Sequence, residues 1–324
     1  MSLETVPRGY FWLKTKLAAK YYRNLLLHRP VSINLEVTKR CNARCDFCDY
    51  WKTKKEEVID DYGPIVKKID PMMVTITGGE PLLRLDLPDV LRKIKKAVPV
   101  SYMAMITNAS LLTPEKAKEP HEAGLDQISI SLDFLDERHD KSRGLPFLWK
   151  HISTIVPQLP AIGFDAVNLN WIVMEQNFDQ TLALAEKARE WGVTATYTAY
   201  CDLKSMNDGH FLSEKNLEKF PSVIKEIFHF KRNFKTIRSS DFFLERMPGY
   251  YRHDRIDGCP AGLRWIQITP EGWFKPCSEL PPVVHWTEYD HRKSFEPQEC
   301  TLCWYSCRGE AQTPIGPKRI REFL

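Results

Sequence analysis

Nine cysteines carry the most legible chemistry in this chain of 324 residues. Cys41, Cys45 and Cys48 stand together in CNARCDFC, with three and then two residues between them. Cys259, Cys277, Cys300, Cys303 and Cys307 crowd the last fifth of the sequence, and Cys201 stands alone. An odd total with such tight local spacing argues against a disulfide framework and for metal ligation. A structural zinc normally takes four protein ligands. Asp46, Asp49 and His28, the nearest further donors, sit at no characteristic spacing. Three thiolates on one loop can instead hold three irons of a [4Fe–4S] cube and leave its fourth iron open to a small molecule.

The elements that must position these thiols follow from hydrophobic periodicity. Short β-rich runs at 31–37, 73–77, 101–107, 127–132, 166–173 and 193–200 alternate with helical stretches at 58–69, 88–97, 114–123, 145–156 and 178–191. That alternation is the signature of a parallel sheet or barrel. Six such strands predict an α/β fold, a partial (β/α)6 TIM-like barrel, with reactive groups at the C-terminal ends of its strands. The first cysteines follow strand one, Gly78-Gly79-Glu80-Pro81 follows strand two, and Asn108 follows strand three. The motifs therefore converge on one rim. Beyond Asp202 the pattern changes to a helix near 214–231, an irregular stretch to Gly258, and two strands, RWIQI and WFKPC, around a Thr269-Pro270-Glu271-Gly272 turn. The expected divisions are a helix within 1–30, a barrel over 31–201, a helical linker over 202–258 and a small cysteine-bearing module over 259–324.

With motif, strand context and downstream motifs in place, residues 31–200 closely resemble the radical S-adenosylmethionine enzymes. The resemblance implies that Cys41, Cys45 and Cys48 hold the open cluster and that Phe47 lies beside the adenine. It places Gly78, Gly79 and Glu80 along the methionine portion, with Glu80 accepting from its ammonium. Glycines there allow close backbone approach, where a larger side chain would crowd the ligand. Relatives carry a TN pair followed by glycine. Here Ala109 follows Thr107-Asn108, which argues against a strained turn at that point. Ser129 and Ser131, in ISISLD, share one strand face and are candidates for the ribose or methionine end, with strand-end hydrogen bonding as the alternative. The cofactor implied is S-adenosyl-L-methionine, cleaved by one electron to a carbon radical that removes hydrogen from a substrate. An external donor such as ferredoxin or flavodoxin supplies the electron.

The terminal cysteines resemble the shortened auxiliary-cluster module called a twitch domain. That pattern gives Cys259, Cys277, Cys300 and Cys303 as ligands of a second [4Fe–4S] cluster, with Cys307 replacing one of the CTLC pair as the alternative. A zinc ribbon would use the same thiols. Cys201, directly after the sixth strand, is a candidate hydrogen-atom donor and Asp202 a candidate proton acceptor; a buried inert thiol is the competing reading.

Composition leaves the substrate open. Lys and Arg number 46 against 42 Asp and Glu, a net +4 that argues against nucleic acid despite the basic run FHFKRNFKTIR at 228–238. Residues 11–27 read as a basic, aromatic amphipathic helix. It either packs on the barrel or lies at an anionic membrane surface. No apolar stretch is long enough to span a membrane and no secretory signal appears, so the expected location is cytoplasmic, with peripheral contact at the inner membrane face as the extension. That helix, with Phe242, Phe243, Trp265, Trp273, Trp286 and Trp304, puts an amphiphilic or isoprenoid-type substrate first. A peptide, and a small polar metabolite such as a sugar, are the alternatives. An electron-transfer protein without catalysis is the non-enzymatic one.

Overall fold

The structure, a computed structural model, describes residues 8–53, 56–164, 166–293 and 295–316. Helix α1 (Arg8–Leu26) precedes β1 (Ser32–Thr38), α2 (Gly63–Ile69), β2 (Met73–Gly78), α3 (Leu87–Ala97) and β3 (Tyr102–Thr107). Then come α4 (Pro114–Glu122), β4 (Gln127–Ser131), α5 (Arg138–Arg143), α6 (Leu148–Ile155), β5 (Val167–Val173), α7 (Ala183–Glu190) and β6 (Thr194–Ala199). The chain ends in α8 (Glu214–Phe234), α9 (Asp241–Tyr251), β7 (Trp265–Ile268), β8 (Trp273–Lys275), β9 (Val284–His285) and α10 (Ser306–Gln312).

All six expected strands form, and they pair in parallel in their order along the chain. Alternation decides which side chains go where. Ile33, Leu35, Val74, Ile76, Ile128 and Ile130 are fully buried in the core that the helices share. Their neighbours point to the other face. Register aligns Asn34 with Thr75, Ser129 with Asn168, and Asn168 with Thr194, so that second face is largely polar, with Ala104 and Ile106 of β3 among its apolar positions.

Two features depart from the expected divisions. The sheet has nine strands, because β7 pairs in parallel with β1 and carries β8 and β9 antiparallel beyond it. Without β7, one edge of β1 would present unpaired backbone groups. The cysteine module is thus continuous with the barrel sheet, and its turn closes through Thr269, whose N–H donates to the Trp273 carbonyl at 2.8 Å. The stretch before Gly258 contains α9, whose start is capped by the Ser240 hydroxyl accepting from Phe243 N at 3.1 Å. Gly249 and Pro248 near its end obscured the helical signal. Arg238 and Thr236 also bond the backbone of Ala195, so the linker extends the β6 edge.

Helix α1 packs on the barrel. Lys20 is buried, its ammonium 2.9 Å from the Ser101 hydroxyl and 2.6 Å from Asp70, which also pairs with Arg23. The buried Asn24 amide donates to the carbonyls of Pro30 and Asp70. Two of the cations that favoured a membrane surface are therefore committed to Asp70; the side chains of Phe11 and Trp12 lie outside the described residues. Among the described residues no helix is long and apolar enough to cross a membrane.

Candidate active site

The first cysteine loop leaves the end of β1 and is pinned there by the Glu56 carboxylate and by main-chain bonds from the β2 end. Glu56 accepts from the Thr38 hydroxyl, Lys39 N and the Arg40 guanidinium. Gly79 N donates to the Thr38 carbonyl and Glu80 N to the Arg40 carbonyl, each at 2.8 Å. A Cβ at Gly79 would stand 2.0 Å from the Arg40 oxygen, and one at Gly78 2.0 Å from the Thr38 oxygen. The glycines are therefore required by the packing of the cysteine loop on the β2 end.

Glu80 is fully buried at the centre of this junction. Its Oε1 accepts from the Thr107 hydroxyl at 2.6 Å and Leu82 N at 3.1 Å, and its Oε2 from Asn108 N at 2.7 Å. Burial pushes the carboxyl up, against the pull of those donors. A carboxylate offers about four acceptor positions, so three are filled and one is left. Asn108 bridges to the cysteine loop, its amide donating to Asn42 at 2.9 Å. The strained turn that Ala109 argued against does form, with Ala109 at φ 62°. Thr107 accepts from Ala109 N and Asn108 from Ser110 N, and these two side-chain bonds hold alanine in a region it ordinarily avoids.

Cys45 is buried, and Cys41 and Cys48 are partly so. Burial pushes Cys45 up to about 11, with the Arg143 cation opposing, and it also raises Cys41. Arg143, ten residues after Asp133, was missed in the sequence. It is buried on α5, and its Nη1 lies 3.7 Å from the Cys45 sulfur. Its Nε and Nη2 both reach Asp133 Oδ2 at 2.6 Å, and its main-chain carbonyl accepts from Arg44 N at 2.7 Å. Its guanidinium also stands 5.3 Å from the Phe47 ring centre, while His210 meets that ring edge-on. Among the described residues no three His, Cys, Asp or Glu side chains converge on the point a single ion would occupy. A depression of about 450 Å³ lies against this loop, lined by Cys41, Asn42, Arg44, Trp51 and Lys52.

Ser129 is buried within the polar face, where its hydroxyl accepts from Gln127 at 2.7 Å, whereas Ser131 at the strand end is partly accessible. The face continues through Asn168, which accepts from Thr194 and Thr196 at 3.0 Å. On β1 it carries Glu36, 1% exposed, whose Oε1 accepts from Tyr50 and from Gln267. Among the described residues no group donates to its Oε2. Alternation in SINLE, QISIS, VNLN and TATYT was the sequence signal for this face.

The terminal module brings its thiols together. Cys277 and Cys307 pack against Cys259 and Trp265. Burial, then the neighbouring thiols of Cys303, Cys277 and Cys259, push Cys307 well up. Burial likewise raises Cys303 to about 12. Arg308, fully buried, fastens the segment by donating to the Cys303 carbonyl at 2.7 Å and to that of Ile256. Cys201 lies where this module meets the barrel rim, buried with its thiol 3.7 Å from the Leu302 carbonyl, and burial raises its pKa. The Asp202 carbonyl closes a turn with Ser205 and Met206. Phe243, Trp265 and Trp304 are core residues, and Phe242 and Trp286 pack on the core. Of the rings expected to supply apolar surface, Trp273 is half-exposed and Phe242 and Trp286 are partly exposed.

The profile of the Radical SAM superfamily matches residues 35–214. The chain belongs to that superfamily. It is an enzyme of this class, and S-adenosyl-L-methionine and a [4Fe–4S] cluster are its cofactors. It is 30% identical over 216 residues to GTP 3',8-cyclase of Aquifex aeolicus, covering 63% of this chain and 67% of that one. The Campylobacter lari GTP 3',8-cyclase is 29% identical over 276 residues, 76% of this chain and 79% of its own. Streptococcus suis SuiB bound to S-adenosylmethionine shares the fold at TM-score 0.58 and 16% identity, over 86% of this chain and 65% of SuiB.

Proposed function

We propose that this enzyme takes a small, polar, uncharged or cationic metabolite, sugar-like or amino-sugar-like, against the polar face of its sheet and removes hydrogen from it. One observation carries the reading. Strands β1 to β6 contain no Lys or Arg, and their inner face is mainly amide and hydroxyl, interrupted by Ala104 and Ile106 of β3 and Ile172 of β5, with a single buried carboxylate, Glu36. A buried carboxylate favours a cation or hydrogen-bond donor opposite it and repels an anion. A nucleoside triphosphate, the substrate class in the names of the A. aeolicus and C. lari relatives, finds no strand cation there. An amphiphile finds only scattered apolar side chains on that face, and of the candidate rings Phe243, Trp265 and Trp304 lie in the core.

When bound, the cluster and S-adenosylmethionine supply one-electron cleavage and hydrogen-atom abstraction; the chain holds, orients and shields. Cys41, Cys45 and Cys48 hold the first cluster, a reading supported by their shared loop and by the cation beside Cys45. Glu80, with one acceptor position unfilled, takes the ammonium of the methionine portion, and Asn108 and Ser131 border it. Phe47, fixed between Arg143 and His210, offers a ring for the adenine. A second cluster sits on Cys259, Cys277, Cys303 and Cys307, supported by the burial of Cys307 among the other three. An external one-electron donor such as ferredoxin or flavodoxin supplies the electron.

The test is anaerobic reconstitution with iron and sulfide, then S-adenosylmethionine and dithionite with deuterated candidates. Neutral polyols or amino sugars are expected to pass deuterium into 5′-deoxyadenosine, and Glu36→Gln to weaken amine-bearing ones selectively. Deuterium transfer from GTP or from an isoprenoid, with none from polyols, refutes the reading.

A further inference from the structure

Arg143 is a buried cation with two attachments. Its Nε and Nη2 share one oxygen, Oδ2, of Asp133, rather than gripping both oxygens as a planar fork does in its strongest pairing. Turned this way, the guanidinium points Nη1 at the Cys45 sulfur, 3.7 Å away. Among the described residues, Asp133 Oδ1 is buried with no hydrogen-bond partner. Asp133 N donates to His139 Nδ1 at 3.2 Å, so that nitrogen carries no proton. Burial keeps the His139 ring neutral, since it lowers its pKa well below the usual value. In contact with Cys45 is one guanidinium with one carboxylate behind it; the other charged groups of the CNARCDFC loop are Arg44 and Asp46, the latter largely exposed and 3.1 Å from His210.

A buried ion pair is an uncertain source of stability, because the desolvation of both charges offsets their attraction. This one also leaves a carboxylate oxygen unsatisfied, which is a further cost. Hydrophobic side chains of similar volume would fill the space at no such expense. What the pair provides is a cation held at fixed distance from a cluster-ligand sulfur, braced by Phe47 on one side and by the Arg44–Arg143 main-chain bond on the other.

We infer that Arg143 is a positioning residue that sets the reduction potential of the first cluster, and that Asp133 moderates it. Cluster potentials follow local net charge and hydrogen bonds to sulfur. A cation in contact with Cys45 favours the reduced, more negative state and raises the potential. The carboxylate behind it partly cancels that effect. The inference rests on the first cluster being held by Cys41, Cys45 and Cys48. That assignment fails separately, by loss of iron and of the reduced-cluster signal from the wild-type protein.

The two charges predict shifts of opposite sign, which a purely structural role does not produce. The measurement is an EPR-monitored redox titration of the reconstituted full-length protein, with iron content determined on each sample. Asp133→Asn, nearly isosteric, removes the moderating charge and is expected to raise the midpoint. The pair Asp133→Asn with Arg143→Met removes the contacting cation without stranding a buried carboxylate. It is expected to lower the midpoint by at least a tenfold shift in equilibrium, 59 mV for one electron. Arg143→Lys keeps the charge but loses the fork and should fall between the wild type and the double variant. Midpoints that do not move, or that move in the same direction in both Asp133→Asn and the double variant, overturn the inference. If the double variant binds no iron, Asp133→Asn decides alone: an unchanged or lowered midpoint overturns it.

Discussion

Glu80→Gln tests the junction that joins the cysteine loop to the strand ends. The wild-type carboxylate accepts three hydrogen bonds, two of them from the backbone N–H groups of Leu82 and Asn108. An amide turns one acceptor into a donor. With its nitrogen at the Oε2 position it opposes Asn108 N, and at the Oε1 position it opposes Leu82 N. Thr107 can rotate its hydroxyl, but neither backbone group can turn away. Each orientation therefore strands one buried N–H, a loss of about 1–3 kcal/mol. Urea denaturation of the apoprotein reads this as a lower midpoint at unchanged slope. The pH dependence has a definite sign. Burial raises the Glu80 pKa in the fold, so its contribution is fullest below the unfolded value of about 4.3 and declines as pH rises through the folded value. The gap between wild type and variant should thus narrow from acid towards neutral pH. Equal midpoints at every pH would show that the three bonds are not made, and a gap that widens with pH would show that the donors outweigh burial.

Gly79→Ala should give insoluble or strongly destabilised protein, because its Cβ meets the Arg40 carbonyl oxygen at 2.0 Å and backbone cannot yield cheaply; a soluble variant with normal iron uptake contradicts that packing. Asp70→Asn removes the partner of buried Lys20 and should loosen α1 by about 1–3 kcal/mol, less than a fully buried pair because Asp70 is partly exposed, read as faster amide exchange confined to α1. Despite burial, hydrogen bonds from Lys20 and Arg23 hold the Asp70 carboxyl below its usual value. The wild-type helix should therefore stay docked above about pH 4 and loosen as pH falls through the folded value. Cys307→Ala should cost the auxiliary cluster, about four irons per chain, while Cys300→Ala retains it; the reverse pattern moves the fourth ligand to Cys300. Cys201→Ala with full turnover would remove Cys201 as a hydrogen-atom donor and leave its thiol a packing group under Leu302.

The six parallel strands, the cysteine loop at the end of the first, and the GGEP segment at the end of the second are all local statements. The chain itself sets how far apart Cys41, Cys45 and Cys48 can stand, and a period of two in side-chain type sorts a strand's faces before any partner is known. The same period had already written Asn34, Glu36, Ser129, Ser131, Asn168 and Thr196 onto one side. The aromatic residues carry no such directional signal, so they point to no particular face.

What remained needed the folded chain. Arg143 meets Cys45 across 98 residues, and Gln267 meets Glu36 across 231. Nothing near either arginine or glutamine in sequence marks it as a partner. The fate of Phe243, Trp265 and Trp304 was also undecidable locally, since a ring that lines a pocket and a ring that fills a core have the same composition and the same period. Spacing along a chain determines chemistry when the ligands share one loop. Which charge faces a sulfur, and whether β7 closes the edge of β1, depend on packing between segments that become neighbours only when the apolar faces are buried together.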